Sequence, residues 1–279
     1  MRIVCDLHTH TSCSDGIYSP DEIVDLALKR KLKSVAITDH DTVAGISSAI
    51  SFADNKIEVI PGIELSTEIE NHDVHILGYY VDYKNKTLLD VLKKCKEVRQ
   101  ERGLKIVNKL IQAGVKITYE QIQKCAGLGV IGRMHIAKVL YDNEQVNSIQ
   151  DAFKTFLGDQ SPFYEPKFKI TPYDAFALIK QAGGICVWAH PGCEDLDPML
   201  KQLVADGLQG LEVWHPKHSN KNVRHYFELA KFYNLLATGG SDFHGHNNYS
   251  LGDYGLDEEN FAKFKMKAGK FPGLHPFNP

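Results

Sequence analysis

The chain alternates short, nearly unbroken apolar runs with longer stretches in which apolar residues recur every three or four positions. The runs are RIVCDL (2–7), SVAIT (34–38), IEVI (57–60), VHILGYYV (74–81), GICVWA (184–189), LQGLEVW (208–214) and LLATGG (235–240). Val, Ile and Leu without regular polar alternation suit strands buried on both faces, as in parallel sheets. The helices between them carry explicit start signals. Ser19-Pro20-Asp21-Glu22 combines a cap, a first-turn proline and an acid at the third position, the elements of a capping box. Thr171-Pro172-Tyr173-Asp174 is a close variant, and its helix stops at Gly183-Gly184. Asp197-Pro198 opens another helix, and residues 220–234 read as one more, with Val223, Phe227 and Ala230 along one face. Seven strands separated by helices predict an α/β fold, either a (β/α) barrel or an open doubly wound sheet.

One segment breaks the alternation. Residues 86–165 contain no convincing strand but several helical patterns, among them LLDVLKKCKEVRQERGLKIVNKLIQAG, TYEQIQKC, GRMHIAKVLYD and SIQDAFKTFLG. They predict a small all-helical insertion domain at 99–165, between strands four and five, with the barrel domain formed by 1–98 and 166–279. Between Lys93 and Lys109 there are seven Lys or Arg against two Glu. That excess reads either as a solvated helix face or as a positive flank for an anionic substrate.

Composition sets limits rather than a function. With 279 residues, 43% hydrophobic and 24% charged, the chain can build one large domain or a large domain with a smaller one. A net charge of -3 gives no global drive toward duplex nucleic acid or an anionic membrane. MRIVCDLHTH has no secretory apolar core, and no apolar run approaches the ~20 residues that span a bilayer. The six cysteines form no CxxC pair, so reduced thiols and a cytoplasmic location are expected. No obligate protein partner is indicated.

Chemistry enters at the strand ends. His8 and His10 follow the first run, and Asp15 lies in the loop beyond it. Asp39 and His40 follow the second and Glu64 the third. His75 lies in the fourth, His190 follows the fifth, His215 and His218 the sixth, and Asp242 and His244 the seventh. Any one of these is more simply a hydrogen-bonded loop or core residue. Repeated at almost every strand, the placement matches the face where barrel active sites are built. His8, His10, Asp15, His40, Glu64, His75, His190, Asp242 and His244 make nine candidate metal ligands. A single zinc site needs three or four, so nine imply several ions. Imidazole and carboxylate without thiolate suit Zn, Mn or Fe. Such a cluster generates a hydroxide at neutral pH and clamps the oxygens of an in-line displacement at phosphorus, which puts phosphate-ester hydrolysis first among the possible reactions.

HTHTSCSDG, ITDHDT, GIELS, HILGY, AHPG and SDFHG, in that order, resemble the successive motifs of the PHP (polymerase and histidinol phosphatase) superfamily. The resemblance implies a distorted seven-stranded (β/α) barrel with three divalent ions. His8, His10, Glu64 and Asp242 would hold the first ion. Glu64 would bridge to a second held with His75 and His190, and Asp15, His40 and His244 would hold the third. Asp39 would orient a ligand histidine or touch a metal itself. The insertion with GRMHIAKVL resembles superfamily members that act on nucleoside 3',5'-bisphosphates or on short RNA in the 5'-to-3' direction. There an Arg-x-His pair, here Arg133 and His135, contacts substrate phosphates; Met134 stands where that subgroup usually has proline. EVWHPKHS resembles the subgroup's strand-six segment and implies that His218 lies near the phosphate, whereas His215 is a less secure match. On this scheme Arg133 grips a phosphate bidentately, and His218 or His135 protonates or holds the leaving oxygen.

The expected activity is hydrolysis of 3',5'-bisphosphonucleosides or of short 5'-phosphorylated oligonucleotides. The rivals are a phosphatase for histidinol phosphate or a similar small ester, and a non-catalytic metal-binding regulatory protein. His72, His225, His246 and His275 fit no motif and read as ordinary surface or loop residues.

Overall fold

The computed structural model describes residues 2–70, 72–127, 131–158, 160–165, 170–193, 196–246 and 249–269. His275 and the expected domain boundary at 166 lie outside these residues. Eight strands are ordered β7-β6-β5-β4-β3-β2-β1-β8. They are β1 (Ile3–Asp6), β2 (Ser34–Ile37), β3 (Glu58–Ile69), β4 (His72–Tyr79), β5 (Ile185–Trp188), β6 (Gly210–Trp214), β7 (Leu236–Gly239) and β8 (Leu256–Asp257). Beyond β1 and β7 the chain nearly closes the sheet into a barrel. Leu7 N–H donates to Gly239 O at 3.2 Å, His10 N–H donates to Phe243 O at 3.0 Å, and Thr9 bridges Phe243.

The barrel is not all parallel, as the apolar runs suggested. β4 is antiparallel to both β3 and β5, and the two-residue β8 is antiparallel to β1. β3 is also longer than IEVI, so Glu64 lies within the strand rather than after it. The antiparallel turn has a direct consequence. The N-terminal end of β4 lies on the same face as the C-terminal ends of its parallel neighbours, and this brings His75, the fourth residue of β4, to that face.

The barrel helices are α1 (Pro20–Lys29) and α2 (Ile46–Ala53), with α3 (Lys86–Gln112) leading into the insertion. There follow α4 (Tyr119–Ala126), α5 (Arg133–Asp142) and α6 (Ile149–Ala152), which continues as a π-turn over Phe153–Leu157. α7 (Pro172–Gln181), α8 (Leu200–Asp206), α9 (Asn220–Phe232) and α10 (Glu258–Ala268) complete the set. Ser19–Glu22, Thr118–Gln121 and Thr171–Asp174 form reciprocal capping boxes at α1, α4 and α7, each satisfying two otherwise orphaned amides. α3 runs unbroken through residue 99, yet its two halves pack into different cores. Leu88, Leu92 and Cys95 join the core around the barrel, whereas Ile106, Val107 and Leu110 join a separate cluster with α4 and α5.

Inside the barrel, Val4, Leu7, Ile60, Leu77 and Val187 pack on Phe261 and Phe264 of α10. Burial of each such aromatic side chain is worth ~1.5–3 kcal/mol. That helix fills the end of the barrel opposite the histidines. No described helix is long and apolar enough to cross a membrane.

Candidate metal centre

His8 and His10 stand two residues apart in extended chain after β1, so their rings project to the same side. Both are fully buried. The loop that follows is tied down by Asp39, which takes Thr11 N–H at 2.7 Å, Thr11 Oγ at 2.7 Å and Ser14 Oγ at 2.6 Å. Asp39 thus braces the loop carrying Asp15 rather than a histidine ring. Asp6, at the end of β1, accepts from His8 N, Ser241 N, Ser241 Oγ and Gly252 N at 3.2, 2.9, 2.6 and 2.8 Å. It locks β1 to the segment carrying Asp242, and burial pushes its carboxyl up to about 6. Gly240 completes the junction, because a Cβ there would overlap the backbone of His8.

Glu64 is the hub. One oxygen lies 3.3 Å from His8 Nε2, 3.2 Å from His10 Nε2 and 3.0 Å from His40 Nδ1; the other lies 2.9 Å from His75 Nδ1 and 3.3 Å from His190 Nε2. Three of four donor clusters among the described residues close around it, and the fourth, His8, Glu212 and His215, shares His8 with the first. His8, His10, Glu64 and Asp242 form one, His40, Glu64 and His75 a second, and His10, Asp15, His40 and His244 a third, each with its atoms within 4.8 Å of one another. His190 adjoins the second through Glu64. All nine candidate ligands, from six strands and the segments that follow them, therefore meet in one place.

The donor chemistry fits metal ions. His8 Nε2, His10 Nδ1 and Nε2, His40 Nδ1, Asp15 Oδ1 and Glu64 Oε2 are buried and have no hydrogen-bond partner. Buried polar atoms are otherwise nearly always satisfied, so six orphans converging on one point mark a site built for cations. Burial alone would raise Glu64, but His40, His8 and His75 pull it well below the carboxylate range. Burial alone would lower His8 and His40, but Glu212, Glu64 and Asp242 raise His8 well above its ordinary value. Glu64 and Asp15 raise His40 to about 10. His190 and Asp242 sit at φ of 33° and 49°, a left-handed conformation that is uncommon outside glycine and that Asp and His adopt more readily than most residues.

A cleft of about 280 Å³ opens over the cluster, walled by Met134, Lys217, His246 and Tyr249. A second, of about 170 Å³, adjoins it at His40 and His75 and is lined by Arg99, Arg102 and Arg133. Arg99 donates to Ser66 Oγ at 2.9 Å and pairs with Asp41. Arg133, the first residue of α5, donates to Leu157 O at 3.0 Å. His135 lies two residues on, its Nδ1 accepting from Gly132 N–H at 3.1 Å, and burial lowers its pKa.

Strand β6 departs from expectation. His218 turns inward: Nδ1 lies 2.9 Å from Val213 O, Nε2 accepts from Gly192 N–H at 3.1 Å, and the ring stacks on Tyr226. Both nitrogens are committed. It is His215 that faces the cluster, with Nε2 3.4 Å from Asp242 Oδ2, while Lys217 reaches the mouth. His246, read as an ordinary histidine, lines the cleft beside His244. His225 pairs with Asp197 on the surface, away from the cluster. Glu212, the first residue of EVWHPKHS, was given no role, yet it is fully buried and binds His8; a lone carboxylate inside the apolar run LEVW was the available signal.

The model of the PHP domain family matches residues 6–161. A 5'-3' exoribonuclease, Rnm, of Salmonella typhimurium is 35% identical over 250 residues, 87% of this chain and 85% of the relative. A 3',5'-nucleoside bisphosphate phosphatase of Chromobacterium violaceum is 33% identical over 246 residues, 86% of each. Among solved structures, a candidate metal-dependent phosphoesterase from Bifidobacterium adolescentis superposes with a TM-score of 0.87 at 30% identity, covering 99% of this chain and 98% of that one. The chain belongs to the PHP family. Its barrel and its clustered strand-end donors are those of a phosphoesterase in that family, a hydrolase of phosphoric esters.

Proposed function

We propose that the protein hydrolyses phosphomonoesters of nucleotides, 3',5'-bisphosphonucleosides foremost, or releases nucleotides from short 5'-phosphorylated oligonucleotides. The observation that carries this reading is the pairing of six orphaned buried ligand atoms with an adjoining cleft lined by three arginines. The first feature calls for cations at the scissile phosphate, the second for a further anionic group a short distance away. A small ester such as histidinol phosphate has no second phosphate to occupy the arginine cleft. We divide the nine among three divalent ions, held by His8, His10, Glu64 and Asp242, by Glu64, His75 and His190, and by Asp15, His40 and His244. The clusters above overlap this division, with His40 also near the second position, His10 near the third, and His190 reaching the second through Glu64. Bound there, ions of this kind lower the pKa of water and neutralise phosphate oxygens.

The protein's own groups do the rest. Arg133 sits at the first turn of α5, where its planar fork can take two phosphate oxygens and the helix N-terminus adds positive potential. His135, its Nδ1 held by Gly132, presents Nε2 as the donor that holds or protonates the leaving oxygen. His218, with both nitrogens committed, supports the β6 loop instead. Asp39 acts through the loop it braces. Six free cysteines suit a reducing compartment, and we place the protein in the cytoplasm.

The 5'-phosphorylated oligonucleotide reading is favoured by Arg99 and Arg102, which line the adjoining cleft with Arg133 on a wall that also holds Glu68 and Asp73. The test is phosphate and nucleotide release from a 3',5'-bisphosphonucleoside, a 5'-phosphorylated dinucleotide and histidinol phosphate. Preference for histidinol phosphate would overturn the assignment.

A further inference from the structure

Strand β6 supplies none of the nine proposed ligands, yet it carries a fully buried carboxylate, Glu212, directly behind them. Its two oxygens serve two different partners. Oε1 lies 2.9 Å from His8 Nδ1, and Oε2 accepts the backbone N–H of His190 at 2.8 Å. Among the described residues its hydrogen bonds go to these two alone. On the three-ion reading, His8 would hold the first ion and His190 the second. None of its hydrogen bonds goes to Asp15, His40 or His244.

The two contacts act differently. On His8 the carboxylate holds a proton on Nδ1, so Nε2, 3.3 and 3.5 Å from Glu64 and Asp242, is the nitrogen left to bind an ion once its own proton is displaced. That is how a carboxylate behind a ligating histidine selects the metal-binding tautomer. On His190 it holds a backbone at φ of 33°, a conformation that persists only when the surroundings impose it. In that conformation Nε2 lies 3.3 Å from Glu64 Oε1.

We infer that Glu212 is a positioning residue for two metal positions at once, through the side chain of one ligand and the backbone of another. The inference rests on the three-ion reading above. It makes the two obvious substitutions differ. In Glu212→Gln the amide carbonyl stays on the His190 N–H, which can only donate. The amide NH₂ then faces His8 Nδ1 and drives the imidazole proton to Nε2, the atom needed for the first ion. Glu212→Ala removes both contacts.

The experiment is a titration of metal-free wild type, Glu212→Gln and Glu212→Ala with Mn²⁺, with bound ions counted after dialysis at fixed free metal and melting of each metal-free protein recorded in parallel. Wild type is expected to take up three ions. Glu212→Gln should lose about 10- to 100-fold in affinity at one position, the range typical of groups behind a ligand. Glu212→Ala should lose it at two, and both should keep the third within about threefold. Near-isosteric glutamine keeps the fold, and its metal-free melting temperature verifies that. A Glu212→Gln protein that binds three ions like wild type, or whose three affinities fall in parallel, overturns the inference while leaving the three-ion reading intact. Wild type that takes up no more than one ion overturns both.

Discussion

Stripping the ions should fill the site with protons, and the size of the effect follows from the structure. Metal binding needs neutral imidazole, yet in the metal-free protein the carboxylates around the proposed ligand histidines favour the charged form, most clearly at His40. Burial opposes this, but Glu212 and Glu64 raise His8, Asp15 raises His244, and Glu64 with Asp15 raises His40 to about 10. For His40 the rise from 6.5 is worth ~5 kcal/mol at 1.36 kcal/mol per pK unit, shared across the His40–Glu64–Asp15 group. Near neutral pH, loading the site should therefore expel at least one proton, that of His40, and affinity should climb about tenfold per pH unit for each proton displaced. The stability consequence has a definite sign. His40 has its folded pKa above its unfolded one, so its contribution to the metal-free fold is complete below 6.5 and is lost as pH rises through about 10. Asp6, raised to about 6, finishes titrating below that window. Calorimetric metal titrations in two buffers of different ionisation enthalpy give the proton count, and thermal melts of chelated protein across that range give the stability. Release of fewer than about one proton, or a chelated protein that grows more stable across that range, would refute the reasoning.

Three substitutions probe the surrounding groups. Arg133→Lys keeps the charge but loses the fork, and should raise KM for a 3',5'-bisphosphonucleoside about 10-fold or more with metal content unchanged; steady-state kinetics and metal analysis check it. His135→Gln should cut kcat by about 10²-fold or more, whereas His218→Gln should leave kcat within about threefold and lower the melting temperature, since His218 bonds Val213 and Gly192. Asp39→Asn faces three donors, Thr11 N, Thr11 Oγ and Ser14 Oγ, with one acceptor fewer. It should cost ~1–3 kcal/mol in denaturant unfolding and loosen Asp15 before any other ligand.

The strand ends were legible because a histidine or carboxylate interrupting an apolar run is conspicuous, and because parallel connections return each strand's C-terminal end to one face. His8, His10, His190 and Asp242 follow from that rule alone. His75 does not. An apolar run fixes burial, not direction, and only the antiparallel placement of β4 explains why a histidine near a strand's beginning reaches the site. The capping boxes at Ser19, Thr118 and Thr171 were legible for a local reason, since cap and partner lie three residues apart. β8 was not, because two residues carry no period. Within HPKHS, turn geometry decides which histidine faces inward, and spacing of three residues cannot distinguish His215 from His218. Glu212 was missed because its partners lie 204 and 22 residues away in sequence.

The central claim is that clustered ions on these nine side chains perform phosphate-ester hydrolysis. Its most direct test joins ion counting to phosphate release from a 3',5'-bisphosphonucleoside by wild type, chelated wild type and Glu64→Ala. The account predicts about three ions and turnover in the first, and neither in the second until metal is restored. Glu64→Ala should lose at least two ions and turnover together. Undiminished release from a protein holding less than one ion would contradict it.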